Sequence, residues 1–503
     1  MKKVWIPVCL SLIVAYILAS ACIGNPGNGP LSGTPTITPS TTASGTIVDL
    51  TNQNSPQAAT FRNGASYTPL ITPQPRIRLE KVAGGFSSPI MIAVPPDDSG
   101  RLFLADQIGV VKIIGPDNKV SDTPFLDVQD RMVKLNAGYD ERGLLSLAFH
   151  PEYKNNGRVF VYYSAPLQSG APDDWSCTNR LSEFRVLPGN PDRVNMSTEK
   201  ILLSVNKPQS NHNGGPLLFG PDDGYLYLAL GDGGGADDNG TGHIPGTGNA
   251  QYGATLLGKI IRIDVDKPGE AGKNYAIPPD NPFVGTAGFA PEIFAMGFRN
   301  PAYASFDAAG NHTLITASAG QALFESVYIV DKGGNYGWNI REGTHCFNPE
   351  DNSKPPAIPC PITGARGEPL IGPVIETGHD VGNTIVGGYI YSGAAMPDLT
   401  GNYIFGEWST AFTRGDGALL VSTPPAGYDI SRYPPDVSNI TPRDNRMWTT
   451  QEFRIANNPE GRINTYVRGF GEDEKHEIYV LTSSKSGPDP TSATGEIWKL
   501  VPG

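Results

Sequence analysis

Basic residues are scarce in this sequence, and charged residues of either sign are few. The 503-residue chain has 38 Lys and Arg against 50 Asp and Glu, which gives a formal net charge of −12, and charged residues make up 17% of it. A chain with this balance repels the phosphates of nucleic acids instead of attracting them. General nucleic-acid binding is therefore excluded, and we expect no nucleic-acid partner.

Long stretches without glycine or proline are also lacking. The chain contains 60 Gly and 46 Pro, and these residues interrupt helices and central strands. Long uninterrupted helices are therefore excluded for most of the sequence. Closed β architectures suit this composition and often run long as one unit, so we expect strands, turns and a large core.

Cysteine is rare, with five residues in the whole chain. Cys9 and Cys22 fall in the N-terminal leader, whereas Cys346 and Cys360 flank a proline-rich segment. No CxxC motif or histidine cluster accompanies that pair, so a metal site is the weaker interpretation. We predict a disulfide between Cys346 and Cys360, whose 15-residue loop gives about 3 kcal/mol of closure entropy. Cys177 is then left as a free thiol.

The N-terminus has the features of an export signal. Basic residues, an apolar run over residues 4–21 and small residues before Cys22 predict a signal peptide over residues 1–22 and an extracytoplasmic, cell-surface location. The segment resembles a lipobox with Ala19 where Leu is usual, so we expect lipid attachment at Cys22 as the membrane contact. An uncleaved membrane span is the alternative, which Pro7 disfavours.

The next segment, residues 23–74, is rich in Ser, Thr, Pro, Gly and Asn. It has few large apolar side chains, so it cannot bury enough surface to offset the entropy of ordering. We therefore predict a flexible stalk that holds a folded domain of residues 75–503 away from the membrane.

One unit recurs through residues 75–503: a turn rich in Asp, Asn and Gly, a short strand, a gap and a second strand. The turns read PDDSG, KNNG, PDDG, DAAGNH, DLTGN and GEDEKH. Apolar and polar residues alternate in the strands, as in sheets that pack face to face around an axis. Six copies predict an all-β fold, a six-bladed β-propeller, with long, uneven insertions unlike a WD40 array. A β-sandwich with extra domains is the second interpretation.

The most informative polar cluster lies around the third repeat. His212, in NHNGG, precedes the predicted hairpin Leu217–Leu230, and Asp232, in GDGGG, follows it. The hairpin would return both side chains to one end of the blade, where a carboxylate orients an imidazole as a general base. A surface hydrogen bond is the more modest role for a lone histidine, and a calcium loop is disfavoured because the stretch lacks DxDxDG spacing.

Two further clusters follow in the fourth repeat. Arg299 and Asn300 stand before a proline, and the guanidinium could bind an anion or form a salt bridge between blades. Gly320 and Gln321 precede the glycine-rich segment GGNYGW. Glycines there would allow a close approach to an ion, although a tight turn between blades needs them equally.

Six segments in a fixed order carry a resemblance to a known family. They are GYDERGLLSLAFHPEY, NHNGGPLLFGPDDGYLYLALGDGG, LGKIIRIDVD, EIFAMGFRNPAYASFD, AGQALFESVYIVDKGGNYGW and TIVGGYIYSG. With them the chain resembles the soluble glucose and sorbosone dehydrogenases, which use pyrroloquinoline quinone (PQQ). The family fold is a six-bladed propeller, in agreement with the repeat count.

The resemblance implies a set of roles for residues of this chain. His212 falls on the family's general base and Asp232 on the carboxylate that orients it. The implied cofactor contacts are Glu141, Arg299, Asn300 and Arg468, and the implied calcium ligands are the backbone carbonyls of Gly320 and Gln321. In this chemistry the base removes a hydroxyl proton while a hydride passes to the quinone, and calcium and Arg299 stabilise the oxyanion.

The sequence also departs from the family pattern. Relatives have a Lys near the fifth repeat, where Glu407 and Ser409 stand, and a pair of Arg before the sixth, where Arg468 is alone. Ser318 replaces an Asp of many relatives, and the GFGEDE segment resembles hedgehog-interacting-protein-like members, whose propeller is better known for binding. Fewer cations would weaken the binding of a tricarboxylate cofactor.

Two hypotheses follow from this comparison. The favoured one is an extracytoplasmic oxidoreductase that oxidises sugars or related alcohols with PQQ and calcium and passes electrons to an unknown acceptor. The alternative is a non-catalytic cell-surface propeller that binds carbohydrate or protein. A lactonase is a distant third, because it needs several carboxylates around one metal.

Overall fold

The computed structural model describes residues 74–356, 359–427 and 447–503. The predicted signal peptide, Cys22 and all but the last residue of the predicted stalk lie outside these ranges. Within them, no helix has the length and apolar character needed to cross a membrane. The predictions of export, lipid attachment and a stalk therefore stay predictions.

The first strand of the described chain is β1 (Arg76–Phe86), and it belongs to the last blade. The first three blades each contain four antiparallel strands in chain order. Their bounds are β2 (Pro89–Ala93), β3 (Leu102–Asp106), β4 (Val110–Ile114) and β5 (Leu126–Asp127); β6 (Leu144–Phe149), β7 (Arg158–Ala165), β8 (Cys177–Leu187) and β9 (Asn190–Lys207); β10 (Leu217–Phe219), β11 (Leu226–Leu230), β12 (Lys259–Ile263) and β13 (Ile293–Met296).

The last three blades follow the same plan, with two additions. A two-stranded hairpin interrupts the fourth blade, and β1 adds to the sixth blade together with a short parallel strand. The bounds are β14 (Asn300–Phe306), β15 (Leu314–Ala319), β16 (Phe324–Ile329), the hairpin β17 (Arg341–Glu342) and β18 (His345–Cys346), and β19 (Ile375–Gly378); β20 (Ile385–Ile390), β21 (Tyr403–Glu407), β22 (Ala418–Thr423) and β23 (Thr449–Glu452); β24 (Arg454–Ile455), β25 (Tyr466–Glu472), β26 (Ile478–Ser483) and β27 (Gly495–Pro502).

Helical structure in the described chain is limited to single turns. These are α1 (Tyr153–Asn156), α2 (Gly248–Gln251) and the 3-10 turns Gln129–Arg131, Glu270–Gly272 and Pro397–Leu399. The near absence of helix agrees with the density of glycine and proline in the sequence.

The blades form a closed ring, which confirms the six-bladed propeller and makes the sandwich interpretation wrong. The first strand of each blade packs against the first strand of a neighbouring blade, or against the strand next to it, and β25 packs against β2. The ring is joined where β1 pairs antiparallel with β27, with Ile77 opposite Pro502 and Leu79 opposite Leu500. The beginning and the end of the propeller are therefore held together in one sheet.

The six repeats correspond to the second and third strands of the blades, such as β3 with β4 and β11 with β12. The expected alternation of exposed and buried residues is wrong for several of these strands, because every residue of β3, β7, β11 and β26 is buried. A blade between two neighbours buries both faces of its sheet, so polar positions of the pattern lie inside as well.

The cysteines form the pairing that loop length predicts. Cys346 and Cys360 are joined by a disulfide, and Cys177 is a free, buried thiol. The disulfide connects β18 to the long segment before β19 and lies outside the four-stranded sheet of its blade.

Candidate active site

His212 and Asp232 meet at one end of the third blade. The hairpin of β10 and β11, with Leu217 opposite Leu228, carries the chain out and back between them. His212 Nδ1 lies 2.8 Å from Asp232 Oδ1, and both residues are buried. Gly231 permits this approach, because a Cβ at that position would lie 2.1 Å from the His212 carbonyl oxygen.

The Asp232 carboxylate is held in place by several donors. Trp338 Nε1 donates to Oδ2 at 2.8 Å, and the Gly234 amide donates to Oδ1 at 3.0 Å. Burial alone would raise the pKa of Asp232, but the charge and hydrogen bond of His212 and the charge of Arg299 outweigh it and lower the pKa to about 2. Asp232 is therefore an anion at neutral pH.

The ionised carboxylate fixes the tautomer of His212. Because Asp232 accepts, His212 Nδ1 carries the proton that is donated, and Nε2 keeps its lone pair. His212 Nε2 has no hydrogen-bond partner among the described residues and is accessible to solvent. In contrast, Nε2 of His243 also lacks a partner but is fully buried. This is the arrangement of a general base with an orienting carboxylate.

Arg299 and Gly320 come together through the pairing of β14 with β15, in which Asn300 lies opposite Ala319. Arg299 Nη1 donates to the Gly320 carbonyl at 2.6 Å, and the guanidinium lies 5.7 Å from the ring centroid of Trp338. The backbone N–H of Gln321 donates to Glu342 Oε1 at 2.6 Å. A predicted cofactor contact and a predicted calcium ligand thus bind each other.

The remaining predicted cofactor side chains brace the protein around the dyad of His212 and Asp232. Glu141 Oε2 accepts the His212 N–H at 2.6 Å, and Asn300 Oδ1 accepts the Gly214 N–H at 3.0 Å. Arg468 joins the sixth blade to the first, because its Nη2 donates to Ser88 Oγ and Gln107 Oε1. Their predicted contacts to a cofactor stay predictions.

The residues present fit an anionic cofactor. The Nε atoms of Arg299 and Arg468 are buried and have no hydrogen-bond partner in the described chain. Tyr303, four residues after Arg299, donates its hydroxyl to the Arg468 carbonyl at 3.1 Å, which brings the strands of the two cations together. Buried donors without partners are costly unless an acceptor completes them, and carboxylates of a quinone cofactor would be suitable acceptors.

The same residues do not fit a calcium ion as they are arranged. The Gly320 carbonyl already accepts from the Arg299 guanidinium, and calcium needs six to eight oxygen ligands. Within the described ranges, no group of three His, Cys, Asp or Glu side chains is placed to hold a metal. We therefore derive no chemical step through calcium.

A second group of carboxylates lies where relatives have a lysine. Glu407 is fully buried; its Oε1 accepts from the Thr377 hydroxyl at 2.8 Å, while its Oε2 has no partner in the described chain. Burial and the neighbouring Glu325 charge raise the pKa of Glu407 well above its usual range. Glu325 in turn lies 2.9 Å from His379 Nε2. The raised pKa favours the neutral form of Glu407, so this corner offers no cation to a carboxylate of a cofactor.

The sequence interpretation missed two residues that contact the dyad. In the sequence, Trp338 is only the last residue of a glycine-rich segment. It lies 106 residues after Asp232, and its indole N–H donates to the Asp232 carboxylate. Lys207 ends β9 and donates from Nζ to the His212 carbonyl at 2.6 Å. The sequence carries no signal for that contact, because most of β9 is exposed or half-buried and Lys207 is the last residue of the strand.

Comparison with known proteins gives two kinds of relative: HIPL and Hedgehog-interacting proteins by sequence, and sugar dehydrogenases by structure. HIPL2 protein of Arabidopsis thaliana is 31% identical over 464 residues, which cover 81% of this chain and 62% of that protein. Hedgehog-interacting protein of Homo sapiens is 28% identical over 432 residues, 84% of this chain and 52% of that protein. The chain therefore spans less than two thirds of the length of these relatives.

Among solved structures, the PQQ-bound aldose sugar dehydrogenase from Streptomyces coelicolor superimposes with a TM-score of 0.55 at 19% identity, covering 84% of this chain and 97% of that one. This similarity shows a shared fold. The family model described as Glucose / Sorbosone dehydrogenase matches residues 86–411, which include His212, Asp232 and Arg299. On this evidence the chain belongs to the glucose and sorbosone dehydrogenase family.

Proposed function

We propose that the protein is an oxidoreductase that oxidises sugars or related alcohols with PQQ as the hydride acceptor. The observation that carries the proposal is the buried dyad of His212 and Asp232, in which the 2.8 Å contact leaves Nε2 as a base. The unpartnered guanidinium donors of Arg299 and Arg468 support an anionic cofactor beside it.

The residues of the chain would divide the work of the reaction. His212 Nε2 accepts the hydroxyl proton of the substrate, and Asp232 stabilises the imidazolium that results. Arg299 and Arg468 would hold the cofactor, and Arg299 would stabilise the negative charge that develops on its oxygen. When bound, the quinone supplies the carbon that accepts the hydride from the substrate carbon.

Calcium is part of the family resemblance but has no place in this scheme. A calcium ion on the Gly320 carbonyl would lie beside the Arg299 guanidinium, whose positive charge repels it. The proposal therefore assigns the positive charge beside the cofactor to Arg299.

A second candidate is a surface propeller that binds a carbohydrate or a protein without oxidising it. The observation in its favour is Glu407, a buried acidic residue with a raised pKa that stands near the position where a cation is expected. One relative is named for its interaction with Hedgehog. We extend neither its partner nor its domain arrangement to this chain.

The full-length protein distinguishes the two candidates in a titration with PQQ, with and without calcium, followed by dye reduction with a panel of aldoses. We expect the tryptophan fluorescence to be quenched saturably at micromolar PQQ, because Trp338 lies beside Arg299, and we expect reduction with at least one aldose. Absence of PQQ binding would exclude the oxidoreductase and leave the binding candidate.

A further inference from the structure

The main chain of His212 has an unusual conformation that needs support. Its φ angle is +53°, in the left-handed region that residues with a side chain rarely adopt. Such strained positions persist when surrounding groups hold them, and they concentrate at functional sites. Two side chains contact the two polar atoms of this residue's backbone: Glu141, 71 residues earlier in the chain, and Lys207, five residues earlier.

Glu141 holds the amide side. Its Oε2 accepts the His212 N–H at 2.6 Å, and its Oε1 accepts the Tyr139 hydroxyl at 2.5 Å. Both oxygens of the carboxylate are therefore engaged within the protein. The carboxylate belongs to the loop before β6, so the whole second blade separates it from β10 in sequence.

Lys207 holds the carbonyl side. Its side chain is fully buried, its Nζ donates to the His212 carbonyl at 2.6 Å, and in the described chain it forms no ion pair with a carboxylate. Burial lowers the pKa of Lys207 to about 8, and the negative charges of Asp232 and Glu141 limit the shift. A buried ammonium directed at one carbonyl is costly to retain unless that contact has a purpose.

We propose that Glu141 and Lys207 are positioning residues that hold the His212 peptide from both sides. The two hydrogen bonds fix the left-handed backbone conformation of His212, and this conformation sets the position of the imidazole relative to Asp232. The inference about geometry is independent of the cofactor, whereas its effect on turnover rests on the proposed function.

Lys259 supplies a matched control. It is also fully buried without a carboxylate partner in the described residues, and its Nζ donates to the carbonyls of Asn249, Ala250 and Leu257 at 2.8 to 3.0 Å. It makes no contact with His212. Replacing either lysine by methionine removes a buried Nζ donor, so a loss seen in Lys207→Met and not in Lys259→Met is due to the contact with His212.

The test uses the full chain without quinone, labelled with ¹⁵N-histidine, and follows the Nδ1 proton of His212 and the hydrogen exchange of its amide. In Lys207→Met and Glu141→Ala we expect the Nδ1 proton signal to broaden or vanish and amide exchange to accelerate at least tenfold. Lys207→Arg and Glu141→Gln keep a donor and an acceptor, so we expect them to retain most of the wild-type signal.

Wild-type Nδ1 and amide signals in folded Glu141→Ala and Lys207→Met would overturn the proposal. The same loss in Lys259→Met would also overturn it, because general loosening would then be the cause. If Lys207→Met does not fold, Glu141→Ala decides alone, since Glu141 lies in a partly exposed loop. In PQQ-loaded enzyme we expect both variants to lower kcat at least tenfold with little change in KM. If the protein does not bind PQQ, the magnetic resonance test of the His212 position still holds, because it is made without quinone.

Discussion

At the residue scale, Asp232 combines burial with a full negative charge. Its lowered pKa, about 2 against an ordinary 3.8, means that the carboxylate contributes about 2 kcal/mol of folding stability above pH 4. Because the folded-state pKa is depressed, this contribution is lost as the pH falls from 4 towards 2.

We therefore expect wild type to lose stability over that range faster than Asp232→Asn, which cannot titrate. Urea unfolding at stepwise pH between 6 and 2 measures the difference in free energy of unfolding between the two proteins. That difference should narrow by about 2 kcal/mol on acidification. A constant difference would show that the carboxylate is not preferentially ionised in the folded state.

Also at the residue scale, the contact of Arg299 with the Gly320 carbonyl makes a prediction about calcium. Since the guanidinium charge beside this oxygen repels a second cation, we expect millimolar calcium to leave the melting temperature of the quinone-free protein unchanged. Arg299→Gln removes the positive charge beside the Gly320 carbonyl and serves as the comparison protein in the same calcium titration. A saturable rise in the wild-type melting temperature would mean that calcium binds the folded protein and would contradict the arrangement.

At the element scale, β1 closes the ring by pairing with β27. Its inward side chains Ile77, Leu79 and Phe86 are buried, and each such burial is worth roughly 1.5 to 3 kcal/mol. We expect deletion of residues 1–86 to lower the melting temperature strongly in calorimetry, whereas deletion of residues 1–73 leaves the described strands intact. Equal melting temperatures for the two truncations would contradict this role of β1.

At this scale, local structure could be predicted from the sequence, whereas contacts between blades could not. The turn-and-strand unit located the middle strands of all six blades, and the hairpin of β10 and β11 brought His212 to Asp232, because both are local patterns. The contacts of Trp338 and Arg468 could not be predicted in the same way. They depend on how blades far apart in sequence pack, as when Arg468 reaches Gln107 from 361 residues away.

Burial on both faces of the strands follows from the same cause. Period-two alternation predicted one polar face, but a blade enclosed by two neighbours has none, so β7 and β11 are buried throughout. The role of Glu141 could not be predicted either. Its type and position fit a ligand contact, whereas the structure uses it to hold the His212 backbone.

At the scale of the whole molecule, the propeller gathers one side of several blades into a single site. The third blade supplies His212 and Asp232, the fourth supplies Arg299, and the sixth supplies Arg468. The acidic side chains of Glu325 and Glu407 lie in the fourth and fifth blades and add no cation to the site. Oxidation of a substrate at this site requires that the two arginines bind a quinone and that His212 accepts the hydroxyl proton of the substrate.

The most direct measurement is a stopped-flow experiment on full-length protein loaded with PQQ, mixed with an aldose that supports dye reduction, with absorbance reporting cofactor reduction in one turnover. We predict that His212→Ala slows this step by about 10² to 10⁴-fold while binding PQQ with nearly wild-type affinity, as loss of a general base requires. Equal rates for the two proteins, or a wild type that binds no PQQ at micromolar concentration, would contradict the account.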